Sequence, residues 1–389
     1  MQKILTVRGP IDPNEVGPTL MHEHLLVDLS CNFVHPTEAS TRSLLHAPVT
    51  MELLALLRRR PFSVTLDNMV LGDEELACEE VARFANEGGQ TVVDATCIGI
   101  GRDPRALHRI SRASNLHVVM GAGCYMENAH PDWVRDASVD QLTEIFTRDV
   151  TVGVEGTPFR SGIIGEIGTS GVPKGSQEKH GDITAQEEKV LRAAGRASYA
   201  TGVAVSVHLD LRGQGAFRVI DILEDEGVEP QRMVMGHMDL VPDLEYHRAV
   251  LARGAVVEYD CFGREYYTEE LGGLSWGHDS WRVQAIATLV GEGYVDQLVL
   301  SQDVALKMDL CKYGGNGYGH ILRTIVPWLR RDGVSDDALV KMLVENPRRI
   351  LAIEWDDDVF PPTSGVVALG AASARPKALS SFPLLPLAG

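Results

Sequence analysis

His22 and His24 flank Glu23 in the segment TLMHEHLLVD. On a strand, alternate side chains face the same way, so the two imidazoles share a face and Glu23 points to the other. Two imidazoles together near the end of a strand suit a divalent metal ion. An isolated His-x-His is also common among ordinary strand histidines, so its weight depends on what else the chain offers. Four further titratable residues end short apolar runs: Glu166 in IIGEIGTSG, His208 in VSVHLD, His237 in VMGHMD and Asp303 in VLSQD. Buried among apolar side chains, each would be costly without a partner, and a shared cation offsets that cost for all of them. Six nitrogen and oxygen ligands exceed the four of one tetrahedral zinc and suit two metal ions sharing a carboxylate.

The elements that must position these residues alternate along the chain. Apolar runs bounded by Gly, Pro or Asp predict strands at 19–28, 91–96, 117–125, 161–168, 203–209, 232–238, 255–260 and 297–303. Helical stretches separate them; 73–89 opens on acids and closes on Gly, and 184–202 opens on a capping box, Thr184 with Glu187. Eight strand–helix units predict one α/β domain, a (β/α)8 TIM barrel, over residues 1–356. A doubly wound sheet would want a Gly-rich phosphate turn after an early strand, and none stands there. In a barrel the active site forms at the C-terminal strand ends, where all six candidates fall. Outside the repeat lie an extra strand or hairpin at 3–11, a first-loop insertion at 29–72 with the helical piece MELLALLRRR, and a C-terminal extension at 357–389.

Composition narrows the partners. The 389 residues carry a net charge of -18, with 44% hydrophobic and 23% charged residues, which fits a folded chain. Such acidity argues against nucleic acid, which needs a basic face, and against anionic membrane surfaces. No run of ~18 apolar residues is long enough to span a bilayer. The six cysteines include no CxxC, and without an export signal they predict reduced thiols in a cytoplasmic protein.

The motifs GPTLMHEHLLVD, GEIGTSG, SVHLD, GHMDL, LSQDV, YGGNGYGHIL and ENPRRIL resemble those of the phosphotriesterase family of the amidohydrolase superfamily. The resemblance runs from about residue 6 to about residue 353. It implies an amidohydrolase-type barrel with two divalent metal ions, zinc first and manganese or cobalt as alternatives, bridged by hydroxide. Carried over by position, it implies that His22, His24 and Asp303 hold one ion, His208 and His237 the other, and Glu166 bridges them. Members resembling the organophosphate-degrading enzymes usually carry a carbamylated Lys at the bridging position. Glu166 places this chain with the Glu-bridged branch, the phosphotriesterase homology and phosphotriesterase-related proteins, whose centre needs no CO2. The resemblance also implies a homodimer.

The expected function is a hydrolase in which the metal-bridging hydroxide cleaves a small carboxylic ester, lactone or amide. Asp303 either accepts the proton or acts as a ligand only. The alternatives are a phosphotriester or organophosphate hydrolase and a non-catalytic ligand-binding barrel. Rim loops must choose the small-molecule substrate, and Tyr125, Arg264 and Tyr266 are the candidates, the Arg as an anchor for an acid group. His35, His46, His108, His117, His180, His247 and His278 are expected at the surface, and His130 and His320 lack ligand spacing.

Overall fold

The computed structural model describes residues 1–170, 183–211 and 215–361. Eight parallel strands form one sheet: β1 (Thr19–Glu23), β2 (Thr91–Asp94), β3 (His117–Ala122), β4 (Ile163–Gly168), β5 (Val205–His208), β6 (Met233–Met235), β7 (Val256–Tyr259) and β8 (Leu298–Leu300). Neighbours pair in chain order from β1 to β8. The two ends meet where His22 N donates to Ser301 Oγ at 3.0 Å and Asp303 N donates to the His22 carbonyl at 3.2 Å. This is the expected (β/α)8 barrel. Nearly every strand residue is buried, because helices cover the outer face and side chains fill the inner one, so these strands read as apolar runs.

The helices α1 (Glu74–Asn86), α2 (Pro104–Ser114), α3 (Val139–Thr151), α4 (Ala185–Thr201), α5 (Ala216–Asp225), α6 (Leu244–Ala252) and α7 (Asp279–Gly291) follow strands one to seven. The Asp73 side chain caps α1, and Thr184 with Glu187 forms the predicted capping box of α4. After β8 two helical stretches follow, each with a wide π turn, Ile321–Ile325 and Lys341–Glu345. Both turns precede a proline, Pro327 or Pro347, which cannot donate to the carbonyl four residues back. No helix among the described residues is long and apolar enough to cross a membrane.

The predicted N-terminal hairpin forms as Gln2–Thr6 and Gly9–Ile11, with Ile353–Glu354 as a third antiparallel strand. Val7 N donates to the Val118 carbonyl at 2.9 Å, which sets this sheet at the N-terminal end of the barrel. The first strand is shorter than expected, ending at Glu23, and Val27–Asp28 pairs instead with Val70–Leu71 across the base of the insertion.

Within the insertion, MELLALLRRR is helical only as a tight turn, Met51–Leu53, and one α turn, Leu54–Leu57. The carbonyls of Arg58 and Arg59 instead accept from Tyr267 N at 3.1 Å and Glu269 N at 3.0 Å. The insertion is therefore stitched to the loop after β7, over the C-terminal mouth of the barrel. Of the expected extension, residues 362–389 lie outside the described residues.

Candidate metal centre

The Glu166 carboxylate stands at the middle of the six predicted ligands. Its Oε2 lies 3.0 Å from His208 Nδ1, 3.3 Å from His22 Nε2 and 3.7 Å from His237 Nε2. Its Oε1 lies 3.2 Å from His24 Nε2, which is also 3.3 Å from Asp303 Oδ1. His22, His24 and Glu166 form one compact group of ligand atoms, and Glu166, His208 and His237 form another. One carboxylate thus belongs to two clusters. All six side chains are buried.

The donor set fits metal ions. His22 Nε2 is fully buried with no hydrogen-bond partner, although a carboxylate stands beside it. The His208 Nδ1 and His237 Nε2 atoms face each other at 2.7 Å. A cation between such atoms would satisfy lone pairs that the protein leaves facing inward.

The outer nitrogens show why those lone pairs face inward. His237 Nδ1 meets Asp260 Oδ1 at 3.0 Å, and His22 Nδ1 meets Asp260 and Glu258, both at 3.3 Å. His24 Nδ1 meets Thr96 Oγ1 at 2.9 Å. A carboxylate or hydroxyl on the far nitrogen fixes the tautomer and aims the near nitrogen at the centre. Sequence reasoning missed Thr96, Glu258 and Asp260. A usable signal existed for two of them, because Glu258 and Asp260 interrupt the apolar strand VVEYD.

Glu23, on the far side of β1 as the alternation requires, is equally buried and accepts from Gln302 N at 2.8 Å and Val304 N at 2.9 Å. It therefore clamps the backbone on either side of Asp303. Both Asp303 (φ 49°) and His237 (φ 58°) adopt left-handed backbone angles, which are costly for residues with a Cβ and tend to collect at functional sites. The Glu23 clamp holds the first. The bonds from His237 N to Asp260, at 2.9 and 3.1 Å, hold the second.

The electrostatics show a demand for cations. Burial alone would lower His24, but hydrogen bonds to Asp303 and Glu166 outweigh it and push it up to about 9. Burial opposes the shift at His237 too, yet Asp260 and Glu166 push it up to about 10. Glu166 goes well below the carboxylate range despite its burial, because His22 and His208 surround it. Without metal, protons on His22, His24 and His237 stand in for the missing positive charge, while burial and the neighbouring His237 lower His208. Asp303 also falls against the effect of burial, chiefly through Arg264, whose Nη1 donates to Asp303 Oδ2.

A cavity of about 480 Å3 opens over the centre. Tyr125 lines it from the end of β3, its ring edge-on to His208 at 5.0 Å. Arg264 also lines it, buried against the Trp276 ring at 4.4 Å rather than solvated on a loop. Tyr266 is not among the lining residues; it packs behind Arg264, with its ring 5.8 Å from that of Trp276. His35 is exposed, as expected, and also lines the cavity with Phe33 and Phe62, all from the insertion. His247, also expected at the surface, is fully buried, with Nδ1 2.7 Å from the Tyr259 hydroxyl. Periodicity could not place Phe33, His35 and Phe62, because the insertion has none, whereas His247 falls on the buried face of α6 with Val250 and Leu251.

Known proteins resemble this chain over most of its length. The phosphotriesterase family model matches residues 2–351. An N-acetyltaurine hydrolase from Tetraodon nigroviridis is 37% identical over 358 residues, covering 90% of this chain and 98% of that protein. A resiniferatoxin-binding protein from Rhodobacter sphaeroides superposes with a TM-score of 0.84 at 41% identity, over 90% of this chain and 94% of that one. A lactonase from Listeria monocytogenes superposes with a TM-score of 0.71 at 28% identity, over 90% of this chain and 98% of that one. With the barrel, the six-residue centre and a family match over nearly its whole length, the chain belongs to the phosphotriesterase family and is a hydrolase of that family.

Proposed function

We propose that the protein is a binuclear metal-dependent hydrolase that cleaves a carboxylic amide, ester or lactone. The observation that carries this reading is the single Glu166 carboxylate common to two histidine clusters. Two divalent cations, held by His22, His24 and Asp303 on one side and by His208 and His237 on the other with Glu166 between, would lower the pKa of water towards ~7 and polarise the scissile carbonyl. Zinc is the first ion to try, with manganese and cobalt next. A cytoplasmic homodimer acting on a small molecule belongs to the same reading.

The chain's own residues do the rest. Asp303 presents Oδ1 to the cluster while Arg264 occupies Oδ2. The guanidinium keeps the carboxylate ionised with Oδ1 facing the cluster, where it can take the proton of the attacking water and return it to the leaving nitrogen or oxygen, although the same pairing lowers its basicity. Burial and the nearby Glu166 charge push the Tyr125 phenol well above its ordinary range. It therefore stays protonated and serves as a hydrogen-bond donor at the cavity wall. Phe33, Phe62, Leu29, Leu271 and Trp276 give that cavity an apolar side, suited to an acyl group with more carbons than acetyl.

The relatives support a carbonyl substrate, since one hydrolyses N-acetyltaurine and another is a lactonase. The resiniferatoxin-binding relative favours a second reading, a barrel that binds a ligand without turning it over. The test is a panel of N-acyl amides, acyl esters, lactones and phosphotriesters, with graded acyl length, on zinc- or manganese-loaded protein. Turnover of a carbonyl compound above the phosphotriesters supports the proposal. Turnover of phosphotriesters alone reverses the order, and tight binding of the panel without any turnover favours the binding barrel.

A further inference from the structure

Arg264 is nearly fully buried beside the centre and is the one Lys or Arg lining the cavity among the described residues. It is held from three sides. Asp303 pairs with Nη1, the Trp276 ring lies under the guanidinium at 4.4 Å, and the Tyr266 ring lies at 5.8 Å. A guanidinium has five N–H donors, yet among the described residues Arg264 hydrogen-bonds to Asp303 alone. Its Nε is buried without a hydrogen-bond partner, with Asp309 Oδ2 3.9 Å away. A buried guanidinium with unused donors at a cavity wall is costly until another acceptor arrives.

We propose that Arg264 is the specificity-determining residue of the cavity and binds an acid group, carboxylate or sulfonate, on the leaving portion of the substrate. The inference rests on the hydrolase reading, in which two bound cations would offset the negative charge of Glu166 and Asp303 and leave Arg264 to attract an anion. Only the width of the Asp303 carboxylate separates Arg264 from the ligand cluster. The acid group therefore lies a few bonds from the cleaved carbonyl, as in an N-acylated amino acid or aminosulfonic acid. Stacking on Trp276 fixes the plane of the fork, which a lysine at this position would lack.

Three amides of one acyl group test this on metal-loaded protein: that of taurine, that of β-alanine and that of ethanolamine, which is neutral. Wild type is expected to prefer one or both acids through KM. Arg264→Met should lower kcat for all three amides alike, because Arg264 also pairs with Asp303, and should raise KM for the preferred acid alone by about 10- to 100-fold, the effect of losing a charged hydrogen bond, with KM for the neutral amide changing less than about threefold. Arg264→Lys should recover part of the loss. Which acid wins in wild type separates sulfonate from carboxylate. Calorimetry with hexanesulfonate against hexyl methyl sulfone, neither of which is cleavable, should show the same selective loss in Arg264→Met. Equal KM changes for all three amides, or unchanged hexanesulfonate binding, overturns the inference while leaving the hydrolase reading intact. No turnover of any amide, ester or lactone by wild type overturns both.

Discussion

Replacing Asp260 by Asn should separate the two ions of the centre. The Asp260 carboxylate accepts from His237 at both Nδ1 and the backbone N and also faces His22 Nδ1 at 3.3 Å. Asn keeps one acceptor oxygen, loses the charge and puts an N–H donor where the second oxygen stood. His237 has no other carboxylate on its outer nitrogen among the described residues, whereas His22 retains Glu258 at 3.3 Å. Removing an orienting partner of this kind costs about 10- to 100-fold in metal affinity or activity, or about 1.4–2.8 kcal/mol. That loss should fall mainly on the ion held by His208 and His237, and much less on the ion held by His22, His24 and Asp303. Competition with a chromophoric chelator would read this as a two-step titration in Asp260→Asn, with the weaker step lowered by one to two decades and kcat/KM falling in parallel. Adding Glu258→Gln should weaken the second step as well. Equal weakening of both steps in the single variant, or none, would refute the assignment of Asp260 to the His237 side.

Other consequences follow from individual side chains. Asp303→Asn keeps four imidazoles and the Glu166 carboxylate, so it should retain substantial metal while losing most turnover; full activity would sink the proton-transfer role. Burial pushes His247 down to about 4 from its usual 6.5, with the ring held against the Tyr259 hydroxyl. A lowered folded pKa means stability that is fully present above pH 6.5 and lost as the pH falls towards 4, at most about 3 kcal/mol. His247→Gln cannot take up that proton, so chemical denaturation at pH 7 and pH 4 should show wild type losing about that much more than the variant; parallel pH profiles would contradict this. Because Glu166 supplies its own carboxylate, bicarbonate should not be needed to reconstitute metal-free protein, and a dependence on CO2 would oppose the bridging role.

The six ligands were legible because each is a polar residue ending an apolar run, and a barrel brings all its strand ends to one rim. The strand–helix alternation was legible for the same reason, since eight buried parallel strands cannot hide their apolar character. Asp260 and Glu258 also interrupt an apolar strand, but their role lies at the far nitrogen of a histidine on another strand, a contact that local spacing does not encode. Strand ends were overdrawn at residues 24–28 because the apolar pattern continues past Glu23 while the backbone leaves the sheet to pair with Val70–Leu71. The insertion was expected to carry a helix through its arginines. The loop after β7 takes the Arg58 and Arg59 carbonyls instead, a tertiary bond overriding local propensity. The same stitching brings Phe62 and Trp276 together at 6.3 Å on the cavity wall, so the insertion shapes the pocket without contributing a ligand.

Metal stoichiometry decides whether one carboxylate joins two metal ions. Wild type and Glu166→Gln would be stripped, loaded with zinc in bicarbonate-free buffer, desalted and analysed for metal per chain. Two ions per wild-type chain are expected and fewer than two in Glu166→Gln, with hydrolysis lost alongside. One ion or none in wild type, or two retained without Glu166, would contradict the bridging role.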